Sequence, residues 1–158
     1  MSITETALSP AGVGSLPVIG HWIDGATKSS TSGRTAPVFN PATGAVQAEV
    51  ALADDAEIAS AIASAERGYR VWSQLSIAKR QAVIFAFREL LNARKAELAA
   101  IISSEHGKVL SDAMGEIARG QEVVELACGF PSLIKGEHSE NVSTGIDVYT
   151  IKQPLGVV

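Results

Sequence analysis

The sequence has little of several residue types, and each shortage excludes a class of protein. Cys128 is the one cysteine among 158 residues, which excludes an internal disulfide and a thiolate metal cluster. No apolar run approaches the roughly 20 residues that a membrane-spanning helix needs. The N-terminus lacks the basic and apolar stretches of a secretory signal. We therefore expect a cytoplasmic protein with no membrane partner.

Positive charge is also scarce. The chain carries 13 lysines and arginines against 17 acidic residues, a net charge of −4. A strongly basic surface is the usual footprint of nucleic-acid or anionic-membrane binding, so we expect neither partner. The three histidines, His21, His106 and His138, are far apart and lack the short spacings of a metal site. The sequence therefore predicts no metal.

What the chain does contain is enough apolar residues for a core, arranged first as strands. Apolar residues make up 46% of the sequence. Residues 1–16 are small and polar, which predicts a flexible lead-in. Short apolar runs separated by Asp-Gly and Asn-Pro-Ala-Thr-Gly turns then predict a small antiparallel layer. The predicted strands are 18–23, 36–40 and 45–52.

Three amphipathic helices are predicted next. Asp54 and Glu57 form a capping-box pattern at the start of the first. Ser76 can cap the second helix, which we expect to continue to Gly107, a residue suited to a left-handed cap. The third begins near residues 111–112. Its two internal glycines, at 115 and 120, each cost about 1 kcal/mol relative to alanine, which indicates either a close approach of backbone or ligand, or tolerated irregularity.

The end of the chain returns to strand character. Apolar and polar residues alternate over 146–152, which predicts an exposed arm able to pair with another subunit. Pro154-Leu155-Gly156-Val157-Val158 has the pattern of a buried strand at its beginning. Such a strand needs neighbours on both edges. We therefore expect this chain to be the front part of a larger enzyme.

Two residues are candidates for chemistry. Arg119 precedes Gly120, and a guanidinium in that open space could hold a carboxylate in a bidentate pair. The alternative, a surface arginine paired with Glu116 or Glu122, is favoured by the residues alone. Cys128 follows apolar helical residues and is better explained as a small packing residue than as a nucleophile.

The order of several motifs resembles the NAD(P)-dependent aldehyde dehydrogenase superfamily. The first motif runs from Gly33-Arg34-Thr35 through Asn40-Pro41-Ala42-Thr43-Gly44, and later ones are Glu105-His106-Gly107-Lys108 and the closing residues 154–158. The resemblance implies an α/β fold: the N-terminal part of the aldehyde dehydrogenase fold, with small antiparallel strands, three amphipathic helices, a strand arm, and a Rossmann-like sheet begun but truncated. It also implies dimers or tetramers built through the arm.

A narrower set of motifs is similar to the CoA-acylating methylmalonate-semialdehyde dehydrogenases. The set includes Gly115-Glu116, Arg119-Gly120, Glu122-Val123-Val124-Glu125 and Ala127-Cys128-Gly129. This resemblance implies NAD-dependent oxidation of methylmalonate or malonate semialdehyde. A cysteine thiolate attacks the aldehyde, hydride passes to NAD, and the acyl group passes to coenzyme A with loss of CO2, giving propionyl- or acetyl-CoA.

The resemblance assigns one functional residue to this chain. Arg119 matches the arginine that helps to hold the substrate carboxylate in this subfamily. The family's catalytic cysteine and cofactor-binding residues match no position here, so we expect no catalytic, cofactor-binding or metal residue and an inactive 158-residue chain. The implied organisation is a lead-in (1–16), part of the cofactor-binding domain (17–138), an oligomerisation arm (139–153) and the start of the first Rossmann-like strand (154–158).

Two other functions stay open at this point. One is a non-acylating aldehyde dehydrogenase, for example one acting on succinate semialdehyde or betaine aldehyde. The other is a self-sufficient helical interaction module whose terminal arm binds a partner. The non-acylating enzyme would turn over without coenzyme A. The interaction module would fold by itself as a compact unit and would unfold cooperatively.

Overall fold

The computed structural model describes residues 15–158, so nearly all of the predicted lead-in (1–16) lies outside the described residues. The described residues form seven strands and five helices. The strands are β1 (Val18–Ile19), β2 (His21–Ile23), β3 (Ala26–Lys28), β4 (Thr35–Phe39), β5 (Val46–Ala51), β6 (His138–Ser143) and β7 (Ile146–Tyr149). The helices are α1 (Asp55–Trp72), α2 (Ile77–Ala93), α3 (Lys95–His106), α4 (Leu110–Cys128) and α5 (Phe130–Leu133).

The first strands form two small sheets, and their pairing is antiparallel as predicted except where β1 joins β5. In the three-stranded sheet β5 lies at the centre, antiparallel to β4 and parallel to β1. The predicted strand 18–23 is interrupted at Gly20, where a Cβ atom would lie 2.5 Å from the Lys28 carbonyl oxygen. The interruption frees β2 to pair with β3, a strand that was not predicted, across the Asp24-Gly25 turn.

The capping box predicted at α1 is confirmed. Asp54 Oδ1 accepts the Glu57 amide at 2.9 Å, and Glu57 Oε2 accepts the Asp54 amide at 3.0 Å. Glu57 also accepts hydrogen bonds from Ser30 Oγ at 2.8 Å and from the Thr31 amide at 2.7 Å. Chiefly because of the two backbone donors, the pKa of Glu57 falls to about 2. One carboxylate thus joins the β-layer to the start of the helical layer.

The second predicted helix is two helices in the structure. The backbone leaves the helical region at Arg94 (φ −107°, ψ 17°), which separates α2 from α3. The break changes the direction of the chain so that both helices contact α4. The predicted left-handed cap at Gly107 is confirmed, with φ of 80° and its amide donating to the Ser103 carbonyl.

The core is small and lies between α3 and α4. Ala99 and Ala113 are fully buried there, and Ile117 is nearly so. Leu98 and Ile102 pack against them while staying partly exposed. Alanines at the contact allow the two helices to approach closely, and this contact fixes the position of α4.

The two internal glycines of α4 meet no close neighbour in the described structure. A Cβ atom added at Gly115 or at Gly120 would have nothing within 4 Å. The sequence suggested either a close approach by another group or tolerated irregularity, and no residue within 15–158 makes such an approach. Any such approach has to come from something added to the exposed face of α4.

We expect Gly115→Ala to stabilise the 158-residue chain. Alanine removes the entropic cost of a helical glycine, a gain of about 0.5–1 kcal/mol in the free energy of unfolding, without a steric clash. Gly107→Ala is the matched control and should destabilise, since its φ is positive and its Cβ would lie 3.2 Å from Pro41. Urea unfolding followed by circular dichroism measures both. A destabilised Gly115→Ala chain would contradict the expectation.

The end of the chain forms a hairpin that extends from the helices. β6 and β7 are antiparallel, and every residue in both strands is exposed. Residues 154–158, predicted to begin a strand, form none: a strand requires a hydrogen-bonded neighbour, and the described part of the chain places none beside them. None of the helices described here is both long enough and apolar enough to span a bilayer.

Candidate functional site

The candidate site is the exposed face of α4, where Arg119 lies. The opposite face of the helix is buried through Ala113, Ile117 and Gln121, which follow each other at four-residue steps. Arg119 is midway between Ile117 and Gln121 in sequence, so the helical repeat directs its side chain away from α3. That side chain is 82% exposed.

The guanidinium of Arg119 is paired locally. Its Nη1 donates to Glu122 Oε2 at 2.9 Å and to Oε1 at 3.3 Å. Nη2 and Nε have no partner within residues 15–158. The structure thus shows the surface pair that the residues alone favoured, and it leaves most of the guanidinium donors available to a second carboxylate.

The surface beside Arg119 is open and partly apolar. Gly120 leaves the adjacent space empty, as its position in the sequence suggested. Val123 and Leu126 are exposed on the same side of the helix. This surface suits a short molecule with a carboxylate at one end, because the carboxylate can pair with Arg119 while the carbon chain contacts Val123 and Leu126.

A second acidic residue near Arg119 is paired elsewhere. Lys108 Nζ contacts Glu116 Oε1 at 2.5 Å, which joins the segment before α4 to the second turn of that helix. The hydrogen bond from Lys108 is the main cause that lowers the pKa of Glu116. Glu116 is three residues from Arg119 and within its reach on a helix, yet it is held by the lysine.

A separate network fixes α4 against α2. Arg88 Nε and Nη2 donate to Glu125 Oε1 at 3.0 and 2.8 Å, and Gln121 Nε2 donates to the same oxygen at 3.1 Å. These bonds lower the pKa of Glu125, with the Arg88 bond as the largest cause. Gln81 Nε2 adds a 2.7 Å bond to the Cys128 carbonyl. The helix that carries Arg119 is thus fixed toward its C-terminal end.

Cys128 occupies a packing position. Its side chain is buried at the last turn of α4, next to the Gln81 contact. A nucleophile has to be reachable by its substrate, and Cys128 is only 7% exposed. Residues 15–158 also contain no cluster of three or more His, Cys, Asp or Glu side chains placed to hold a metal ion.

Sequence reasoning missed two of these features. The Arg88–Glu125 contact joins residues 37 positions apart, and no local pattern indicates it. The Lys108–Glu116 pair joins the α3–α4 connection to α4, and finding it from the sequence requires the position of the helix boundary. The Arg119–Glu122 pair is local and was among the alternatives, because side chains three apart are neighbours on a helix.

Comparison with known proteins gives consistent matches. Residues 27–158 match the model of the aldehyde dehydrogenase family. The chain is 44% identical over 138 residues to a malonate-semialdehyde dehydrogenase of Pseudomonas aeruginosa, covering 87% of this chain and 28% of that protein. It is 40% identical over 141 residues to the mitochondrial acylating methylmalonate-semialdehyde dehydrogenase of Arabidopsis thaliana, covering 89% of this chain and 23% of that protein.

Solved structures agree with these matches. One described as a methylmalonate-semialdehyde dehydrogenase from Sinorhizobium meliloti 1021 complexed with NAD has a TM-score of 0.84 and 46% identity, over 90% of this chain and 29% of that one. A succinate-semialdehyde dehydrogenase from Burkholderia pseudomallei has a TM-score of 0.77 and 29% identity, over 85% of this chain and 28% of that one. The chain therefore spans less than a third of the length of the relatives it matches.

Proposed function

We propose, from the premise that this chain belongs to the aldehyde dehydrogenase family, that it forms the N-terminal part of an NAD-dependent, CoA-acylating semialdehyde dehydrogenase. The substrate is methylmalonate or malonate semialdehyde, and the product is propionyl- or acetyl-CoA, formed with loss of CO2. The family and the fold resemblance predicted from the sequence are both confirmed. Substrate, coenzyme A, oligomeric state and a cytoplasmic location are part of the proposal.

The observation that carries the proposal is a difference in identity between branches of the family. Identity is 44% and 46% to proteins described as malonate- and methylmalonate-semialdehyde dehydrogenases, against 29% to the succinate-semialdehyde enzyme. The fold is shared by both groups, so the extra identity reflects features particular to the first. This favours the acylating branch over a non-acylating dehydrogenase.

The surface of the chain supports a role as part of a larger fold. Its accessible area is 12,299 Å², whereas a compact protein of 16.4 kDa exposes about 7,500 Å². The first 14 residues, even at the area of an unfolded chain, explain only roughly 2,000 Å² of that excess. Large apolar side chains such as Trp22, Phe87 and Leu90 are among those exposed. A stand-alone interaction module would bury more of them.

The role proposed for Arg119 is to bind the substrate carboxylate. Both semialdehydes carry a carboxylate a fixed, short distance from the aldehyde carbon, so a guanidinium that holds one end positions the other. Arg119 has free donors, an open neighbouring space and apolar side chains beside it. In this proposal the sites for NAD and coenzyme A belong to the rest of the enzyme.

The β6–β7 hairpin is the proposed oligomerisation arm. All of its residues are exposed, including Val142, Val148 and Tyr149, and β6 and β7 pair only with each other in the described structure. Exposed strand edges with apolar side chains readily accept a further strand. Pairing with a second subunit of the complete enzyme would cover them.

The proposed function is tested by NADH formation. A complete enzyme with this chain as its N-terminal part should reduce NAD with malonate or methylmalonate semialdehyde and should form the acyl-CoA product only when coenzyme A is present. The isolated 158-residue chain should form no NADH, because in this proposal the catalytic cysteine and the NAD site belong to the rest of the enzyme. Turnover that is complete without coenzyme A would favour the non-acylating alternative, and NADH formation by the isolated chain would overturn the proposal.

A further inference from the structure

We propose that Glu122 is a built-in competitor for the guanidinium of Arg119, and that Lys108 keeps a second competitor, Glu116, away from it. The inference rests on the proposed function, in which Arg119 receives the substrate carboxylate. It assigns to three charged side chains around the site a role in setting how tightly that carboxylate is held.

The geometry of Glu122 is that of a displaceable partner. Both of its carboxylate oxygens face the same nitrogen, Nη1 of Arg119. The two side chains are 82% and 60% exposed, so water can replace either partner. Exposed pairs three residues apart on a helix are weak. A substrate carboxylate that binds Arg119 through Nη1 takes the place of a chemically equivalent group.

Glu116 is placed to compete in the same way but is held back. It precedes Arg119 by three residues, and an acidic residue on the N-terminal side of a basic one is the favourable order on a helix. Glu116 pairs instead with Lys108 through the 2.5 Å contact, and the lysine side chain is only 20% exposed. Glu125, the acidic residue that follows Glu122 in the helix, is held by Arg88. Of these three glutamates, only Glu122 is left for Arg119.

This arrangement lowers the apparent affinity of Arg119 for carboxylates. Without substrate, Glu122 keeps the guanidinium paired and oriented along the exposed face. A carboxylate that binds Arg119 end-on, through Nη1 and Nη2, has to displace Glu122 from Nη1, and its apparent affinity falls by the fraction of time that Glu122 occupies this nitrogen. Molecules without a carboxylate have nothing to exchange, so their binding does not depend on the pair.

The inference predicts opposite shifts of KM for malonate semialdehyde in two variants of the complete enzyme. Glu122→Gln should lower KM for malonate semialdehyde about two- to fivefold, the range for loss of an exposed pair, with kcat unchanged. Lys108→Met should raise that KM by a similar factor, since it releases Glu116, and Lys108→Met with Glu116→Gln should restore it. KM and kcat for propanal should stay the same in all three, which also reports that the enzyme is folded.

The outcomes separate this inference from the proposed function. If Arg119→Leu raises KM for malonate semialdehyde but Glu122→Gln leaves it unchanged, the competitor role is overturned while the proposed function stands. If Arg119→Leu has no carboxylate-specific effect, the role of Arg119 itself fails. Glu122→Gln made in the Arg119→Leu background should change nothing, and a lowered KM there would show that Glu122 acts without Arg119 and would overturn the inference.

Discussion

Replacing Arg119 by leucine in the complete enzyme is expected to raise KM for malonate semialdehyde about 10- to 150-fold. This range corresponds to the loss of hydrogen bonds between a guanidinium and a carboxylate, worth about 1.5–3 kcal/mol. The charge also orients the substrate, so a fall in kcat is expected alongside the rise in KM. Steady-state NADH formation at varied substrate concentration measures both.

Propanal is the matched substrate for this prediction, because it has the aldehyde without the carboxylate. Its KM should change little in Arg119→Leu, so that the preference for the carboxylated substrate collapses. Arg119→Lys should give an intermediate loss, since lysine keeps the charge but not the planar pair of donors. Arg67→Leu, which removes an exposed arginine of α1, controls for the loss of surface charge. Equal losses for both substrates would reject the assignment.

Local signals in the sequence predicted those parts of the fold that depend on neighbouring residues. Asp54 and Glu57 start α1 as expected, and Gly107 ends α3 in the left-handed conformation that glycine permits. Each of these is decided within one turn of helix. The predicted family fold follows from motifs of this kind taken in order, and it is confirmed.

The parts that sequence reasoning missed depend on contacts between distant residues. The break at Arg94 has no glycine or proline to mark it, and it exists because α2 and α3 both pack on α4. The parallel pairing of β1 with β5 joins residues about thirty positions apart. A strand of two residues has too little pattern of its own to indicate its direction.

The candidate site shows the same division. Arg119 drew attention because of Gly120 and the family motif, and its pairing with Glu122 is local. The interactions that fix its helix are not local, because the Arg88–Glu125 bond and the Ala99–Ala113 contact form only when the helices are packed together. Whether Arg119 binds a carboxylate stays a prediction that the kinetics above decide.

Replacing Ala99 by leucine is expected to cost about 1–3 kcal/mol of the free energy of unfolding. Ala99 is fully buried where α3 meets α4, against the equally buried Ala113. Leucine adds three carbon atoms at a fully buried position, so the helices have to move apart to admit them. The core of the described chain is small, and a loss of this size is large beside the usual stability of a domain. The measurement is urea unfolding of the complete enzyme, followed by circular dichroism.

Ala100→Leu is the matched control, because it makes the same change one residue further along the same helix at an exposed position. Alanine and leucine are both good helix formers, so the helix itself should be little affected by either substitution. The two variants therefore differ in one respect, whether the added carbon atoms enter the α3–α4 contact. Equal midpoints would mean that this contact does not support the helical layer, and the helix that carries Arg119 would then need another source of its position.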